Sequence, residues 1–384
     1  MTRQEFIKMC ALLGVGTPLI GSPLDNLSHQ KSPKKVLIIG AGAAGLTAGY
    51  HLRKQGIAVH ILEASSTYGG RMKQNTDFAD FPIPVGAEWL HTKKSMLEKI
   101  IDNPSKTIDI KTTPYNFSED YALINGEKAK LKKVGFTIDQ KFLNSTWFDF
   151  FERYIVPDVK EYISFNQPVI SINYATDQIL VKTKNHEYTA DKVIITVPVK
   201  LLQNDAIKFT PPLPKVKTEA IKKVVVWDGC KAFIKFSKKF YPAVTSFGNA
   251  TKTEGHKLFY NAAYGQNTSH PIMGLFAVGP AAVPYLALSK EERIAHILAE
   301  LDNTFDGQAS ALYIDHIFQN WSTEPFSQGA YVHYFESWKT IKTLGEPVAD
   351  RLYFAGDAYT DGSSWSSVHA AAKAAIKVVE KLMI

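Results

Sequence analysis

The sequence is short of cysteine, and this limits the kinds of site that it can build. Only Cys10 and Cys230 are cysteines among its 384 residues. Two thiols so far apart in sequence supply neither a disulfide framework nor a cysteine-rich zinc site. His91 and His369 each lack a second histidine at metal-ligand spacing. We therefore predict no metal site.

Long apolar runs are also missing. No segment is long and apolar enough for a transmembrane helix, so we predict no stable membrane insertion. A short apolar stretch at residues 9–20 follows a basic start at residues 2–8, which favours an export signal. It resembles a twin-arginine signal with Gln4 in place of the second arginine. We predict an exported or periplasmic protein; the alternative is a short packed helix in a cytoplasmic one.

A concentrated patch of one charge is absent as well. The formal net charge is +7, from 44 Lys and Arg against 37 Asp and Glu. The basic groups at residues 128–133, 215–223 and 231–239 are interleaved with apolar residues, as on solvated faces. We therefore predict no nucleic-acid partner. Hydrophobic residues make up 45% and aromatics 12%, which suits a globular core with a pocket for a flat or apolar molecule.

The most informative segment that is present runs from residue 36 to residue 63. A wholly apolar stretch, residues 36–39, predicts a strand buried on both faces of a parallel sheet. A predicted helix at residues 46–55 ends at Gly56, and residues 58–62 predict a second buried strand closed by Glu63. Together they form one βαβ unit. Further along the chain, residues 169–174, 178–183 and 193–196 predict three short strands, and we expect short helices and loops between residues 89 and 159.

Between the first strand and the helix lies a GxGxxG motif formed by Gly40, Gly42 and Gly45. The first glycine permits the tight turn, the second lets the backbone approach a pyrophosphate, and the third allows close helix–sheet packing. The helix N-terminus favours phosphate, and the Glu63 carboxylate is placed to accept hydrogen bonds from a ribose diol. This context predicts a Rossmann-like dinucleotide site.

The residues after Glu63 point to the type of dinucleotide. Gly69, Gly70 and Arg71 resemble the extended signature of the flavin-containing amine oxidase family, which implies FAD. Further segments resemble the same family at residues 85–91, 190–198, 209–214 and 352–357, with Asp357 in place of the usual glutamate. The resemblance implies these cofactor-binding residues: Gly40, Gly42, Ala43, Ala44, Gly45, Glu63, Ala64, Gly70, Arg71, Gly86, Ala87, Glu88, Trp89, Val169, Trp321, Gly356, Asp357, Ser367 and Val368. The late cysteine that tethers flavin in some members is missing, so we expect non-covalent FAD.

Lys231 is the predicted catalytic residue. The stretch around it resembles the strand that carries the lysine of amine oxidases, which commonly holds a water at flavin N5. Period-2 alternation puts Lys231 and Phe233 on one face and Ala232, Ile234 and Phe236 on the other. Burial beside a pocket lowers the pKa of a lysine. The alternative is an ordinary lysine on a solvent-facing strand.

The predicted substrate pocket contains His91, Phe233, Tyr331 and Trp365. Many amine oxidases have an aromatic-cage tyrosine where this chain has Ser367. Trp365 or Tyr359 is the candidate replacement, with Trp321 or Tyr331 opposite. The last helix, from about Ser367, would direct its positive end at the flavin pyrimidine.

The expected fold is α/β: a Rossmann-like FAD-binding domain with a discontinuous α+β substrate domain. The predicted segments are a signal-like segment and linker (1–33), the FAD-binding domain in three parts (34–91, 166–212 and 326–384), a shortened cap (92–165) and a substrate domain (213–325). The expected activity is oxidation of a small-molecule amine to an imine, with O2 as acceptor and H2O2 as product. The alternatives are an FAD-dependent desaturase or dehydrogenase of an apolar substrate, and a non-catalytic flavin-binding protein.

Overall fold

The computed structural model describes residues 33, 35–114, 121–125, 128–132, 139–247, 255–334, 337–360, 362 and 364–383. The predicted export segment lies outside the described residues, so the localisation stays a prediction. Within these ranges no helix combines the length and the apolar character that crossing a membrane requires.

Twenty strands make up the described β-structure. They are β1 Lys35–Ile39, β2 Ala58–Leu62, β3 Lys111–Pro114, β4 Tyr121–Asn125, β5 Lys128–Lys132, β6 Gln140–Leu143, β7 Ile163–Ser164, β8 Val169–Asn173, β9 Ile179–Thr183, β10 Glu187–Ala190, β11 Lys192–Ile195, β12 Lys208–Thr210, β13 Val225–Trp227, β14 Gly229–Phe236, β15 Val244–Phe247, β16 His256–Asn261, β17 Ile272–Val278, β18 Tyr313–Asn320, β19 Tyr331–Tyr334 and β20 Leu352–Phe354.

Ten α-helices lie in the same ranges. They are α1 Ala43–Lys54, α2 Ser95–Ile101, α3 Trp147–Tyr154, α4 Val199–Gln203, α5 Lys215–Lys223, α6 Val283–Ala287, α7 Lys290–Thr304, α8 Gln308–Leu312, α9 Trp338–Gly345 and α10 Val368–Leu382.

The central sheet contains five parallel strands in the order β20-β11-β1-β2-β7. Alternate residues of β1 face different layers: Val36 and Ile38 pack on the side of α1 and α10, whereas Leu37 and Ile39 pack on the opposite side. Burial on both faces explains the uninterrupted apolar run and confirms the predicted βαβ unit. Helix α1 begins at Ala43, three residues earlier than predicted.

A four-stranded sheet, in the order β10-β9-β8-β12, covers one side of the central sheet region through the apolar cluster that contains Val181 and Val193. The sequence predicted β8 and β9 but not the short strands β10 and β12. The third predicted strand of this region, now β11, belongs to the central sheet instead. Short edge strands carry little periodicity, so the sequence pattern did not reveal them.

The third layer is a seven-stranded sheet in the order β18-β14-β17-β16-β15-β4-β5. Strand β14 lies between antiparallel β17 and β18, and helix α7 packs its apolar side on this sheet. Here one prediction was wrong. We expected short helices and loops between residues 89 and 159, but the structure has strands β3 to β6 besides α2 and α3. Strand β4 pairs with β15, which is too distant in sequence for local patterning to indicate.

The predicted domain boundaries stay a prediction. Strands β1, β2, β11 and β20 come from the three segments assigned to the FAD-binding domain, and all join the central sheet. The short strand β7 lies in the segment assigned to the cap but joins the same sheet. Segments distant in sequence therefore join one sheet.

Candidate active site

A cavity of about 1560 Å³ lies at the carboxyl ends of the central parallel strands. Gly40 and Glu63, directly after β1 and β2, line its dinucleotide side. Lys231 and Tyr260, on the seven-stranded sheet, line the opposite side. Ligands of open parallel sheets bind at this edge, because the strand-to-helix loops converge there. Its volume exceeds the roughly 300–1,000 Å³ of ordinary ligand pockets, which leaves room for a dinucleotide and a substrate.

The three motif glycines occupy different environments. Gly40 has a φ of +102°, a conformation that side-chain-bearing residues rarely adopt. A Cβ on Gly45 would lie 1.9 Å from the Gly40 carbonyl oxygen, so this glycine allows the helix to meet the strand. A Cβ on Gly42 would meet no protein atom within 4 Å and would enter the cavity. Glycine at this position leaves open the space that a bound pyrophosphate needs.

Glu63 is buried and its carboxylate is held from both sides. One oxygen accepts from the Ala41 N–H at 2.6 Å, and the other accepts from the Ser65 N–H at 2.9 Å and the Ser65 hydroxyl at 2.8 Å. Gly42 caps α1 without a side-chain hydrogen bond. The first N–H groups of a helix have no carbonyl partner within it. The site thus offers an anion-binding helix end beside a fixed carboxylate.

Arg71 and Asp357 were predicted separately to bind the cofactor, and the structure brings them together. The Arg71 guanidinium donates to the two Asp357 oxygens at 2.7 and 3.2 Å and to the Ala330 carbonyl at 2.8 Å. Both residues line the cavity. The two-point pair fixes the plane of the guanidinium. The shorter acid thus serves to hold Arg71 at the cavity wall.

At the opposite end, three buried polar side chains meet at the Glu88 carboxylate. Lys231 Nζ donates to one Glu88 oxygen at 2.7 Å and to the Pro84 carbonyl at 3.2 Å. The Tyr260 hydroxyl donates to the same carboxylate oxygen at 2.6 Å, and Lys141 Nζ donates to the other at 2.8 Å. We call Glu88, Lys141, Lys231 and Tyr260 the Glu88 cluster. Each of these residues is at most 5% exposed.

Burial and charge compete within the Glu88 cluster. Burial opposes ionisation of Glu88, but the ammonium groups of Lys141 and Lys231 outweigh it and hold the Glu88 pKa at about 2. Burial lowers the pKa of Lys231; Glu88 opposes this effect, and the Lys141 charge adds to it. Glu88 is thus a fixed anion, while Lys231 is easier to deprotonate than a lysine in water.

Aromatic rings surround the Lys231 end of the cavity. Lys231 Nζ lies 5.4 Å from the centre of the Trp89 ring, and Trp89 lies 4.9 Å from Tyr260 between ring centres. Tyr331 stacks in parallel on Phe276 at 6.3 Å. Burial raises the pKa of Tyr331 to about 12, so its hydroxyl stays protonated. This end of the cavity suits an apolar or cationic organic molecule.

Most of the predicted site residues line the cavity. These are Gly40, Gly42, Ala43, Ala44, Glu63, Ala64, Gly70, Arg71, Gly86, Ala87, Glu88, Trp89, His91, Val169, Lys231, Trp321, Tyr331, Gly356, Asp357, Trp365, Ser367 and Val368. Trp321 donates from its indole to the Val85 carbonyl at 3.0 Å, and Trp365 is 40% exposed. The predicted residues therefore converge on one cavity.

Three predicted residues lie elsewhere. Gly45 packs against Gly40 beneath the cavity. Phe233 is fully buried in an apolar cluster, with its ring centre 5.5 Å from Lys231 Nζ, and does not line the cavity. Tyr359 packs in the core beside the central sheet and donates to the Val197 carbonyl, which leaves Trp365 as the remaining cage candidate. Period-2 alternation identified the face of Phe233 correctly but not its depth.

The sequence did not reveal Lys141, Tyr260 or Asp139. Lys141 and Tyr260 lie 53 and 172 residues from Glu88 in sequence, so no local spacing connects them. Asp139 lines the cavity and contacts His91 Nδ1 at 3.0 Å. A carboxylate in this position orients the imidazole ring.

The N-terminus of α10 also faces the cavity. Ser367 caps the helix by accepting from the Ala370 N–H at 3.3 Å, and His369 lines the cavity just inside it. The buried His369 Nδ1 has no hydrogen-bond partner among the described residues. Burial, with the charges of His91 and Lys373, lowers the His369 pKa to about 4. The neutral His369 imidazole and the positive end of α10 thus suit a polar group bound in the cavity.

Residues 148–383 match the sequence profile of flavin containing amine oxidoreductases, and residues 38–102 match that of NAD(P)-binding Rossmann-like domains. The chain belongs to the flavin containing amine oxidoreductase family. It is thus an FAD-dependent oxidoreductase. The glycine turn, Glu63, the unpartnered His369 nitrogen and the two helix N-termini fit FAD. The expected resemblance is confirmed.

Individual relatives agree with this assignment. Polyamine oxidase 2 from Arabidopsis thaliana is 23% identical across 91% of this chain and 88% of that protein. Lysine-specific histone demethylase 1 homolog 3 from the same plant is 25% identical across 85% of this chain, which spans only 28% of that protein's length.

Solved structures share the fold. Wild-type putrescine oxidase bound to putrescine has a TM-score of 0.75 at 15% identity, covering 91% of this chain and 99% of that one. Cyclohexylamine oxidase from Brevibacterium oxydans has a TM-score of 0.74 at 15% identity, covering 92% and 100%. The expected α/β fold is confirmed.

Proposed function

We propose that this flavoprotein oxidises small-molecule amines to imines, with FAD taking the hydride from the carbon next to nitrogen and O2 taking the electrons to give H2O2. Water then hydrolyses the imine. The observation that carries the proposal is Lys231: it lines the cavity formed by the dinucleotide-binding loops, and Glu88 holds its Nζ at 2.7 Å.

The surrounding residues supply binding and orientation. Trp89 and Tyr331 present aromatic faces to the cavity, where an apolar chain or a cationic nitrogen binds favourably. The Glu88 carboxylate is already occupied by Lys231, Lys141 and Tyr260. The substrate nitrogen therefore meets a lysine and aromatic rings rather than a free buried acid. This arrangement favours a monoamine or one end of a longer polyamine.

Anaerobic mixing of the purified yellow protein with separate monoamines, diamines, polyamines and amino acids tests the proposal. Flavin absorbance is followed in each mixture. We expect bleaching by one amine class, and recovery with formation of H2O2 when air is admitted. An apolar-ring substrate in the same panel tests the desaturase alternative.

Bleaching by the apolar-ring compound alone would contradict the amine proposal and favour a desaturase. Bound FAD that no compound bleaches would favour a non-catalytic flavin-binding protein. Purified protein without FAD, and without affinity for added FAD, would contradict the cofactor assignment itself.

A further inference from the structure

The Glu88 cluster contains more positive than negative charge. Glu88 supplies one carboxylate, whereas Lys141 and Lys231 supply two ammonium groups. Their side chains are between 2% and 5% exposed, so solvent screens them little. With both lysines protonated the cluster carries a net charge of +1. A buried excess charge is costly, and release of one proton removes it.

The two lysines are not equivalent in position. Lys231 lines the main cavity, where a substrate nitrogen can approach it. Lys141 does not line that cavity among the described residues; it lies behind Glu88 beside a separate space of about 10 Å³. Lys231 is therefore the member that can exchange a proton with a substrate, whereas Lys141 can influence that exchange only through its charge and its contact with Glu88.

Within the part of the chain that the structure describes, the sheet neighbours of Lys231 add no further charge to the Glu88 cluster. Its partners across the sheet, Phe276 on β17 and Gln319 on β18, carry no titratable side chain. On its own strand, Lys235 lies over the Phe78 ring at 4.7 Å, and the buried Cys230 thiol faces the apolar cluster on the opposite face.

The buried Cys230 thiol stays neutral, since burial raises its pKa to about 12. On neighbouring elements, among the described residues, the titratable groups that share the Glu88 carboxylate with Lys231 are Lys141 and the Tyr260 hydroxyl. The charge balance is therefore set within the Glu88 cluster.

We propose that Lys141 and Glu88 are positioning residues that together make Lys231 the proton acceptor for the substrate ammonium group. Lys141 neutralises Glu88 in place of Lys231, which frees Lys231 to lose its proton. This inference rests on the proposed function for its substrate, but its electrostatic part is independent of turnover.

A substrate R–CH2–NH3+ loses one N–H bond as neutral Lys231 Nζ gains one, giving R–CH2–NH2 and the Lys231 ammonium. The substrate nitrogen regains the lone pair that imine formation requires. Glu88 then stabilises the Lys231 ammonium at 2.7 Å, and the proton passes to water before the next cycle.

The two positioning residues act on Lys231 in opposite directions. The Lys141 charge lowers the Lys231 pKa, whereas the Glu88 charge raises it. Lys141→Met should therefore raise the titration midpoint of Lys231, by about one pH unit. Glu88→Gln should lower it. A purely structural role for the two side chains would not produce shifts of opposite sign.

NMR of protein labelled with 13C at lysine Cε measures the midpoint without substrate, in the FAD-bound protein. The signal lost in Lys231→Met identifies Lys231. Stopped-flow reduction by an amine then gives the pH profile of the same variants. We expect its rising limb to move with the NMR midpoint, with little change in the substrate concentration at half-saturation.

Lys257→Met is the matched control, because Lys257 forms a partly buried pair with Glu300 outside the Glu88 cluster. It should leave the Lys231 midpoint unchanged. If Glu88→Gln does not fold, Lys141→Met and the smaller change Lys141→Gln still give the upward shift. An unchanged midpoint in both Lys141 variants, or shifts of the same sign for Lys141→Met and Glu88→Gln, would overturn the proposal.

The two proposals can fail separately. The Lys231 midpoint could shift in opposite directions in Lys141→Met and Glu88→Gln while no amine bleaches the flavin. That result would overturn the proposed function, while it would support the role of Lys141 and Glu88 in setting the proton equilibrium of Lys231.

Discussion

The two ends of the cavity are built in different ways. At the dinucleotide end, one continuous segment, residues 36–71, presents backbone N–H groups, glycines and the Glu63 carboxylate, and Asp357 and the start of α10 join it from later in the chain. The Lys231 end comes from four separate segments that meet at Glu88 through buried charges. The first end depends on chain conformation and the second on electrostatic balance. Substitutions at the two ends should therefore have different effects on cofactor binding, on stability and on proton transfer.

The largest expected effect is on catalysis, from Lys231→Met. Loss of a positioned acid–base group should slow amine-dependent flavin reduction by about 10²- to 10⁴-fold. FAD affinity should change little, because Lys231 lies at the opposite end of the cavity. Stopped-flow absorbance and FAD titration measure the two quantities.

Lys217→Met is the matched control for that variant. Lys217 is also buried, but its Nζ donates to the carbonyls of Thr343, Leu344 and Glu346 at the end of α9, away from the cavity. It should reduce flavin at a near wild-type rate. Equal losses in both variants would contradict a specific role for Lys231.

The next effect concerns the stability of the Lys231 end of the cavity. Glu88→Gln leaves two buried ammonium groups without their carboxylate and should lower the free energy of unfolding by about 3–5 kcal/mol. Glu300→Gln, at the more exposed Lys257–Glu300 pair, should cost less, about 1 kcal/mol. Urea unfolding of both variants gives the comparison. A loss no larger for Glu88→Gln than for Glu300→Gln would argue against a strongly coupled cluster.

A smaller effect tests the dinucleotide end. Gly45→Ala puts a Cβ 1.9 Å from the Gly40 oxygen and should destabilise the protein by about 1–3 kcal/mol. Gly42→Ala meets no protein atom and should cost less than about 1 kcal/mol, while it weakens FAD binding by roughly tenfold or more. Urea unfolding without FAD and titration with FAD distinguish the two glycines. Unchanged FAD affinity in Gly42→Ala would count against a pyrophosphate there.

The most gradual effect is the pH dependence of stability contributed by Lys217, outside both ends. Burial lowers its pKa in the folded protein to about 7. Above that pH the unfolded chain binds more protons than the folded one, so stability should rise towards the unfolded pKa of about 10.4, by at most about 1.4 kcal/mol per pH unit.

Urea unfolding at pH values of about 7, 8 and 9 measures this slope. Lys217→Met should flatten it, since methionine does not titrate, while any slope contributed by Lys231 remains. An unchanged slope would show that Lys217 keeps its ordinary pKa in the folded protein.

The local sequence pattern predicted those elements in which apolar residues recur with a clear period. Strands β1 and β2 and helix α10 were identified within a few residues, because buried strands and an alanine-rich helix have distinct periods. The region between residues 89 and 159 was predicted wrongly. Its strands pair with remote segments, as β4 does with β15, and sequence patterns carry little information about such pairing.

The sequence by itself determined the βαβ part of the dinucleotide end, since the turn, the helix start and the acid at the end of β2 follow one another between Gly40 and Glu63. It also indicated Lys231 as the catalytic candidate and predicted which face of β14 carries its side chain. Only the tertiary structure decided what Lys231 contacts. Long-range folding brings Glu88, Lys141 and Tyr260 together from segments up to 172 residues apart. Backbone geometry is encoded locally, whereas the balance of buried charges depends on which distant side chains are removed from water together.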